Sequence, residues 1–80
     1  MIPLYGFLEG DTIGLLVLAD EADTAAVLAE KLQASARVRV KPKSNVKVIF
    51  KGSTLAPDTT VTQAGIEALD RFDVVEAHSR

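Results

Sequence analysis

The alternation of apolar and polar positions is most regular in the second half of the chain. Val46, Val48 and Phe50 recur with a period of two, which predicts a strand that turns these side chains toward a core. Ile49 falls on the opposite face of this strand, between two lysines. Gly52 then predicts a tight reversal, because glycine lacks the Cβ that disfavours positive φ.

The pattern after this reversal predicts an anchor, one turn of helix and a last strand. Leu55 is an isolated apolar residue in a polar loop. Thr60 is a residue type that caps helix N-termini, and Gly65 is one that ends helices. Ile66 and Leu69 are expected to return the chain to the core, and residues 72–75 form a closing apolar stretch that predicts a strand.

Residues 3–9 and 12–19 predict a β-hairpin with Glu9-Gly10-Asp11 at its turn. The residues expected on its core side share one strand parity: Tyr5, Phe7, Ile13, Leu15 and Val17. A hairpin with one face in water alternates apolar with polar residues, whereas this one is apolar on both faces.

Residues 24–34 have helical spacing, with Ala25, Leu28 and Leu32 on one stripe. Asp23 is predicted to cap this helix. A helix that lies between a hairpin and later strands packs across one face of a mixed, four- to five-stranded sheet. The predicted fold class is therefore α+β.

The sheet face turned away from the helix is also predicted to be apolar. Its members project on the uncovered side: Leu4, Leu8, Leu16, Leu18, Ile49 and Val75. A contiguous apolar group rimmed by charged residues is typical of a surface that binds another protein. These six residues are the predicted partner-binding site; the alternative is that the strand parity assigned to the hairpin is wrong.

Basic residues concentrate in the middle of the chain: Arg37, Arg39, Lys41, Lys43, Lys47 and Lys51. Residues 37–41 alternate like an edge strand that Pro42 ends. Lysines and arginines protect such an edge from pairing with another sheet, and the same basic ridge could dock an acidic protein or a phosphate backbone. Nucleic acid is disfavoured, because no aromatic residues interleave with the charges to stack on bases.

Composition places the chain among small globular proteins. Its 80 residues, 48% apolar and 25% charged with a net charge of −2, predict a single domain over residues 1–80. The absence of cysteine excludes disulfides and favours the cytoplasm. The longest apolar run, residues 13–19, is too short to cross a bilayer and follows no basic region, so no membrane association is expected.

Few side chains could carry out catalysis. The only histidine is His78, close to the last residue, and there is no cysteine nucleophile. Asp20, Glu21 and Asp23 share one loop, where capping explains them; a weak cation site is the alternative, although their spacing is not that of a calcium loop. The glycines form no phosphate-binding motif. We therefore predict a protein that is not an enzyme and that binds no cofactor or metal.

Over its whole length the chain resembles a ubiquitin-like β-grasp domain. The matching positions run from the first hairpin to the last strand: Leu8, Gly10, Thr12, Ile13, Leu15, Val17, Asp23, Thr24, Leu28, Leu32, Val48, Ile49, Phe50, Gly52, Leu55, Ile66, Val74 and Val75. The resemblance implies an outward hydrophobic patch at Leu8, Ile49 and Val75. Modifiers of this kind end in Gly-Gly, whereas this sequence ends in Glu76-Ala77-His78-Ser79-Arg80. A ubiquitin-like modifier or sulfur-carrier-like protein is therefore the alternative function.

A closer resemblance is to the γ subunit, system protein B, of bacterial toluene monooxygenases. The shared pieces occur in order: Pro3, Glu9-x-Asp11, Leu15, Val17, Asp20, Ala29-Glu30-Lys31, Pro42, Val46-x-Val48, Ser53-Thr54, Pro57, Gln63-Ala64-Gly65 and Asp73-Val74-Val75. The resemblance implies a non-catalytic accessory subunit that packs on a larger protein, a diiron hydroxylase. An adaptor of another complex is left open.

Overall fold

Five strands and two helices form two layers in the computed structural model, which describes residues 1–77. The elements in chain order are β1 (Ile2–Leu8), β2 (Gly14–Ala19), α1 (Ala25–Ala36), β3 (Val46–Phe50), β4 (Ser53–Leu55), α2 (Val61–Ala64) and β5 (Arg71–Glu76). The sheet order is β2-β1-β5-β3-β4, with β1 and β5 parallel and the other neighbours antiparallel. Helix α1 packs on β1, β2 and β3 from one side. The predicted α+β class, a mixed sheet with one helix across a face, is confirmed.

Thr24 caps helix α1, because its side-chain oxygen accepts a hydrogen bond from the Val27 amide at 3.3 Å. The predicted cap, Asp23, was one residue early. Its carboxylate instead accepts bonds from the Asp20 amide and the Lys31 ammonium, so it orders the loop that leads into the helix. The helix also runs two residues beyond the predicted end, to Ala36. Its buried alanines are small, which allows the helix to lie close to the sheet.

The core lies between α1 and the inner face of the sheet. In the strand register, Leu4 is opposite Val17 and Val48 is opposite Val74, so these side chains share the helix side. The largest fully buried side chains are Phe72, Leu4, Leu28, Leu32, Val61 and Val74. The predicted inward set of β3 is confirmed for Val48 and Phe50, which are both buried.

The strand parity predicted for β1 is wrong. Leu4 and Leu8 are 0% and 4% exposed and belong to the core, whereas Tyr5 and Phe7 project from the outer face. The inward position between the two leucines is Gly6. A Cβ there would lie 2.9 Å from Leu32 Cδ1 and 2.9 Å from Phe72 Cζ, so only glycine fits beneath these side chains.

The parity predicted for β2 is correct, because Val17 is buried and Leu16 and Leu18 are exposed. Leu15 is partly buried against the core. Ile13 precedes the strand and is 49% exposed, so its predicted place in the core is wrong. At this position the chain is still in the connection between the two strands.

The edge strand predicted over residues 37–41 does not form. Helix α1 ends at Ala36, whose carbonyl accepts bonds from the amides of Arg39 and Val40 at 2.9 Å each, and the chain turns there. Gln33 then holds the following loop, because its side-chain amide donates to the Lys43 carbonyl and accepts from the Lys43 amide. The edges of the sheet are β2 and β4 instead.

In the second half of the chain, the turn, the helix caps and the last strand lie where the local sequence predicts them. Lys51 and Gly52 have φ of 51° and 80°, the combination that a tight two-residue hairpin turn requires, and the short strand β4 follows. Thr60 caps α2, and Gly65 ends it in the left-handed conformation at φ 73°, as predicted. The predicted last strand is β5.

Candidate protein-binding surface

The outer face of β1 and β2 carries a stripe of exposed apolar side chains. Tyr5 is opposite Leu16 and Pro3 is opposite Leu18, so the four side chains are neighbours. Tyr5, Leu16 and Leu18 are 44%, 56% and 52% exposed. A group of large apolar side chains this close together is uncommon on a small protein that binds nothing through that surface.

Leu69 extends this stripe beyond the strands. Its amide donates to the Pro3 carbonyl at 2.6 Å, which places it beside the end of β1. The side chain is 58% exposed although the backbone has a φ of 68°, a conformation that costs a leucine about 1 kcal/mol. We refer to Pro3, Tyr5, Leu16, Leu18 and Leu69 as the outer apolar patch.

Phe7 lies next to the patch and is held on two sides. A methyl group on Gly14, its partner across the hairpin, would lie 2.5 Å from Phe7 Cζ, so the ring occupies the space above this glycine. The Arg71 guanidinium carbon lies 4.0 Å from the ring centroid, which is a cation–π contact. The Phe7 ring is therefore fixed and only half-buried, with its remaining surface open to a partner.

Arg71 is held in turn by Asp73. Its Nε and Nη2 atoms donate to the two carboxylate oxygens at 2.9 and 3.1 Å, a two-point contact that orients the planar guanidinium. The hydrogen bonds from Arg71 to this carboxylate raise the pKa of the Arg71 side chain, so its charge is permanent. A rigid, charged boundary thus separates the outer apolar patch from β3.

Two of the residues predicted to bind a partner lie on the far side of this boundary. Ile49 is opposite Asp73 and Val75 is opposite Lys47, and both apolar side chains are half-buried on the outer face. Leu16 and Leu18 lie in the outer apolar patch, so four of the six predicted residues are on this face. Leu4 and Leu8 are buried and are removed from the set.

The basic residues do not form one surface. Arg37 and Arg39 lie in the turn after α1, Lys41 in the following loop, Lys47 on β3 and Lys51 in the β3–β4 turn. Arg39 donates to both Asp11 carboxylate oxygens, and these hydrogen bonds lower the Asp11 pKa. Its charge is therefore compensated by the hairpin turn, which leaves a weaker basic ridge than the sequence predicts.

In the acidic loop before α1, the Asp23 carboxylate is already bound by other groups of the protein and is not free to hold a cation. The hydrogen bond from Lys31 holds the Asp23 pKa below its usual value, and the same ammonium donates to the Leu18 carbonyl at 3.0 Å. Among residues 1–77, no three His, Cys, Asp or Glu side chains come together as a metal site, and no helix is long and apolar enough to cross a membrane. His78 lies outside the described residues.

Sequence reasoning missed the residues that the tertiary fold brings to this face. Tyr5, Phe7 and Leu69 were assigned to the core, which is wrong for Leu69 because it is 58% exposed, whereas Arg71 had no assigned role. Two glycines in the sequence could have indicated that Tyr5 and Phe7 face outward. Gly6 occupies an inward position of β1 and Gly14 lies opposite Phe7, and both mark close packing. Arg71 reaches Phe7 only through the parallel pairing of β1 with β5.

The fold and its exposed sheet face define a ubiquitin-like β-grasp protein. The ubiquitin of Caldiarchaeum subterraneum superposes with a TM-score of 0.78 at 16% identity, over 98% of this chain and 95% of the ubiquitin. A chain of the AtBAG1–HSP70 complex superposes with a TM-score of 0.77 at 10% identity, over 95% of this chain and 40% of the other. At these identities the similarity shows the fold alone.

Two further comparisons give the family. A sequence model described as Toluene-4-monooxygenase system protein B (TmoB) matches residues 1–75. A chain in the structure of the toluene 4-monooxygenase HD complex with the inhibitor 4-bromobenzoate superposes with a TM-score of 0.87 at 26% identity, over 95% of this chain and 98% of that chain. The search of curated proteins found no match. This chain belongs to the toluene-4-monooxygenase system protein B family, as its sequence resemblance predicts.

Proposed function

We propose that this protein is a non-catalytic accessory subunit of a multicomponent monooxygenase and that it binds the hydroxylase component through the outer apolar patch. The observation that carries the assignment is the family match over residues 1–75. The similar chain at 26% identity comes from a toluene 4-monooxygenase complex, which supports the same assignment. Family membership also favours an accessory subunit over a ubiquitin-like modifier.

The outer apolar patch has the character that such an interface needs. A standard interface covers about 800 Å² per partner, roughly a sixth of the 5002 Å² surface of this protein. Each half-exposed leucine that a partner covers contributes on the order of 1 kcal/mol to binding. Tyr5 and the Phe7–Arg71 pair add aromatic and guanidinium groups, which are the side chains that dominate binding energy at protein interfaces.

The accessory role assigns no chemical step to this chain. Oxygen activation and hydroxylation take place in the hydroxylase, and this subunit contributes a rigid surface. Both strands of the patch belong to a hydrogen-bonded sheet with the core behind it, so little conformational entropy is lost when a partner covers them. We place the complex in the bacterial cytoplasm.

The test is reconstitution with purified hydroxylase subunits of the toluene-4-monooxygenase type. The double variant Leu16→Asp, Leu18→Asp is expected to lose co-elution with the hydroxylase in gel filtration and to raise the Kd by at least 100-fold. Both side chains are exposed, so the far-UV circular dichroism and the thermal midpoint should stay close to those of the wild type.

The matched control is Val38→Asp, which changes an 84% exposed valine in the turn after α1, on another surface. It is expected to bind the hydroxylase as the wild type does. Undiminished binding of the leucine double variant would overturn the assigned surface, and failure of the wild type to bind any hydroxylase subunit would overturn the function itself.

A further inference from the structure

A groove of about 440 Å³ lies between α1 and the edge of the sheet formed by β3 and β4. Its helix wall includes the exposed Ala26 beside the buried Ala25 and Ala29, and its floor includes the half-buried Val46 beside the buried Val48. It lies on the helix side of the sheet, so it is distinct from the outer apolar patch. Alanines on one wall leave room for branched aliphatic side chains from another chain.

The strand beside this groove has an open edge at Val46. The Asn45 carbonyl accepts a hydrogen bond from the Ala77 amide on the β5 side. In an antiparallel pair of strands, successive residues direct their N–H and C=O groups to opposite sides, so those of Val46 point away from β5. Strand β4 does not reach them, because its last pair is Val48 with Leu55.

Pro57, the residue in line to continue the pairing of β4 with β3, cannot form this pair. The register that pairs Val48 with Leu55 would place Pro57 opposite Val46, and proline has no N–H to donate. The Pro57 carbonyl is already bonded to the Ala26 amide at 3.1 Å. Within residues 1–77, the donor and acceptor of Val46 therefore form a short, unpaired strand edge at the mouth of an apolar groove.

The charges around the groove indicate which sequence it fits. Lys47, next to the open edge, forms no ion pair within residues 1–77 and is opposite the uncharged Val75 on β5. A strand added beside Val46 would place alternate side chains into the groove and on the Lys47 side of the sheet. Glu30, on the helix wall, disfavours acidic side chains inside the groove.

We infer that this groove binds an extended segment of a partner protein, in which apolar and acidic residues alternate, as an added strand beside Val46. The apolar side chains contact Ala26 of α1 and Val46, and the acidic side chains pair with Lys47. Backbone hydrogen bonds to Val46 supply the register. This site is independent of the surface that binds the hydroxylase under the proposed function.

The test is an NMR titration of the ¹⁵N-labelled protein with a synthetic ten-residue peptide that alternates valine and glutamate. The expected result is saturable shifts of the Ala26, Val46 and Lys47 amides, with slower solvent exchange at Val46. A valine–lysine peptide should bind at least tenfold more weakly, because it faces Lys47. A valine–glutamate peptide with alternate amides N-methylated should not bind, because it cannot pair as a strand.

Two tryptophan variants localise the binding. Ala26→Trp fills the groove from an exposed helix position and is expected to abolish the shifts, whereas Ser35→Trp, nine residues along and on the opposite side of α1, should bind as the wild type does. The Leu16→Asp, Leu18→Asp variant should also bind the peptide, which separates this result from the proposed function. No shifts at millimolar peptide, or equal binding of the N-methylated peptide, would overturn the inference.

Discussion

The Arg71 guanidinium carbon lies 4.0 Å from the centroid of the Phe7 ring, while its Nε and Nη2 atoms donate to Asp73. The contact joins the first and last strands of the chain across the outer face, because β1 and β5 are parallel neighbours. It adds a second contact to a half-buried aromatic ring that already packs over Gly14. This pair therefore shapes the edge of the surface assigned to partner binding.

We predict that Arg71→Ala weakens hydroxylase binding about tenfold with little change in the urea midpoint, because it releases Phe7 without opening the core. Arg71→Lys should recover only part of the affinity, since an ammonium cannot contact Asp73 at two points. Isothermal titration and urea unfolding measure the two effects. Arg37→Ala, an exposed arginine in the turn after α1, is the control. An equal loss of binding in this control would point to general charge rather than to the Arg71–Phe7 pair.

Ile49 gives a prediction that separates binding from folding. Since Asp73 is directly opposite, Ile49→Asp brings two carboxylates together and should lower the free energy of unfolding by about 0.5 kcal/mol relative to Ile49→Lys. If the partner surface extends to Ile49, both variants lose affinity for the hydroxylase. Unfolding curves together with binding isotherms decide the point. A lysine variant with full affinity would confine the interface to the β1–β2 side.

The next residue, Phe50, points to the opposite face. It is 6% exposed, and Phe50→Ala should lower the free energy of unfolding by about 3–5 kcal/mol, which a protein of this size barely tolerates. Chemical denaturation measures the loss. Ile49→Ala, one position away on the half-buried outer face, is the matched control and should lose far less. Equal losses at the two positions would contradict the strand register described above.

Gly6→Ala tests the close packing beneath β1. The added methyl group would lie 2.9 Å from both Leu32 and Phe72, so we expect a loss of about 1–3 kcal/mol from overpacking. A Cβ on Gly52 meets nothing within 4 Å, although its φ of 80° adds strain. Gly52→Ala should therefore cost about 1 kcal/mol and leave the core NMR spectrum unchanged, whereas Gly6→Ala should shift the resonances of Leu32 and Phe72.

Two ion pairs predict how stability depends on pH. Bonds from Arg39 and Lys31 lower the pKa values of Asp11 and Asp23 below their usual 3.8. Each pair therefore stabilises the folded state above about pH 4, and this stabilisation is lost as the pH falls through the lowered values. The urea midpoint should drop between pH 5 and pH 2.5. The drop should be shallower in Asp23→Asn, and an unchanged slope in this variant would contradict the assignment.

Local signals in the sequence were sufficient for the second half of the fold. The Gln63 amide donates to Thr60 Oγ1 and the Thr60 amide donates to Gln63 Oε1, and Gly65 ends the same helix. These contacts all lie within six residues of one another, so the residue types alone identify the helix start and end. The same is true of the two-residue turn at Lys51 and Gly52, although β4 itself was not foreseen.

The strand parity of β1 depended on contacts from distant parts of the chain. In isolation, the alternation of Tyr5 and Phe7 is a better core pattern than two leucines separated by a glycine. The opposite face of β1 turns inward because Leu32 and Phe72 fill the space over Gly6, and neither residue is near β1 in the sequence. The predicted surface accordingly kept Leu16 and Leu18 and wrongly included Leu4 and Leu8.

The central place of β5 in the sheet has a consequence for biosynthesis. Strands β1 and β3 are each hydrogen-bonded to β5 and not to each other. A growing polypeptide therefore cannot complete the sheet until Arg71–Glu76 has left the ribosome. Until then the β1–β2 hairpin exposes both its leucine-rich inner face and an unpaired edge, so the nascent chain is prone to aggregation until β5 has emerged.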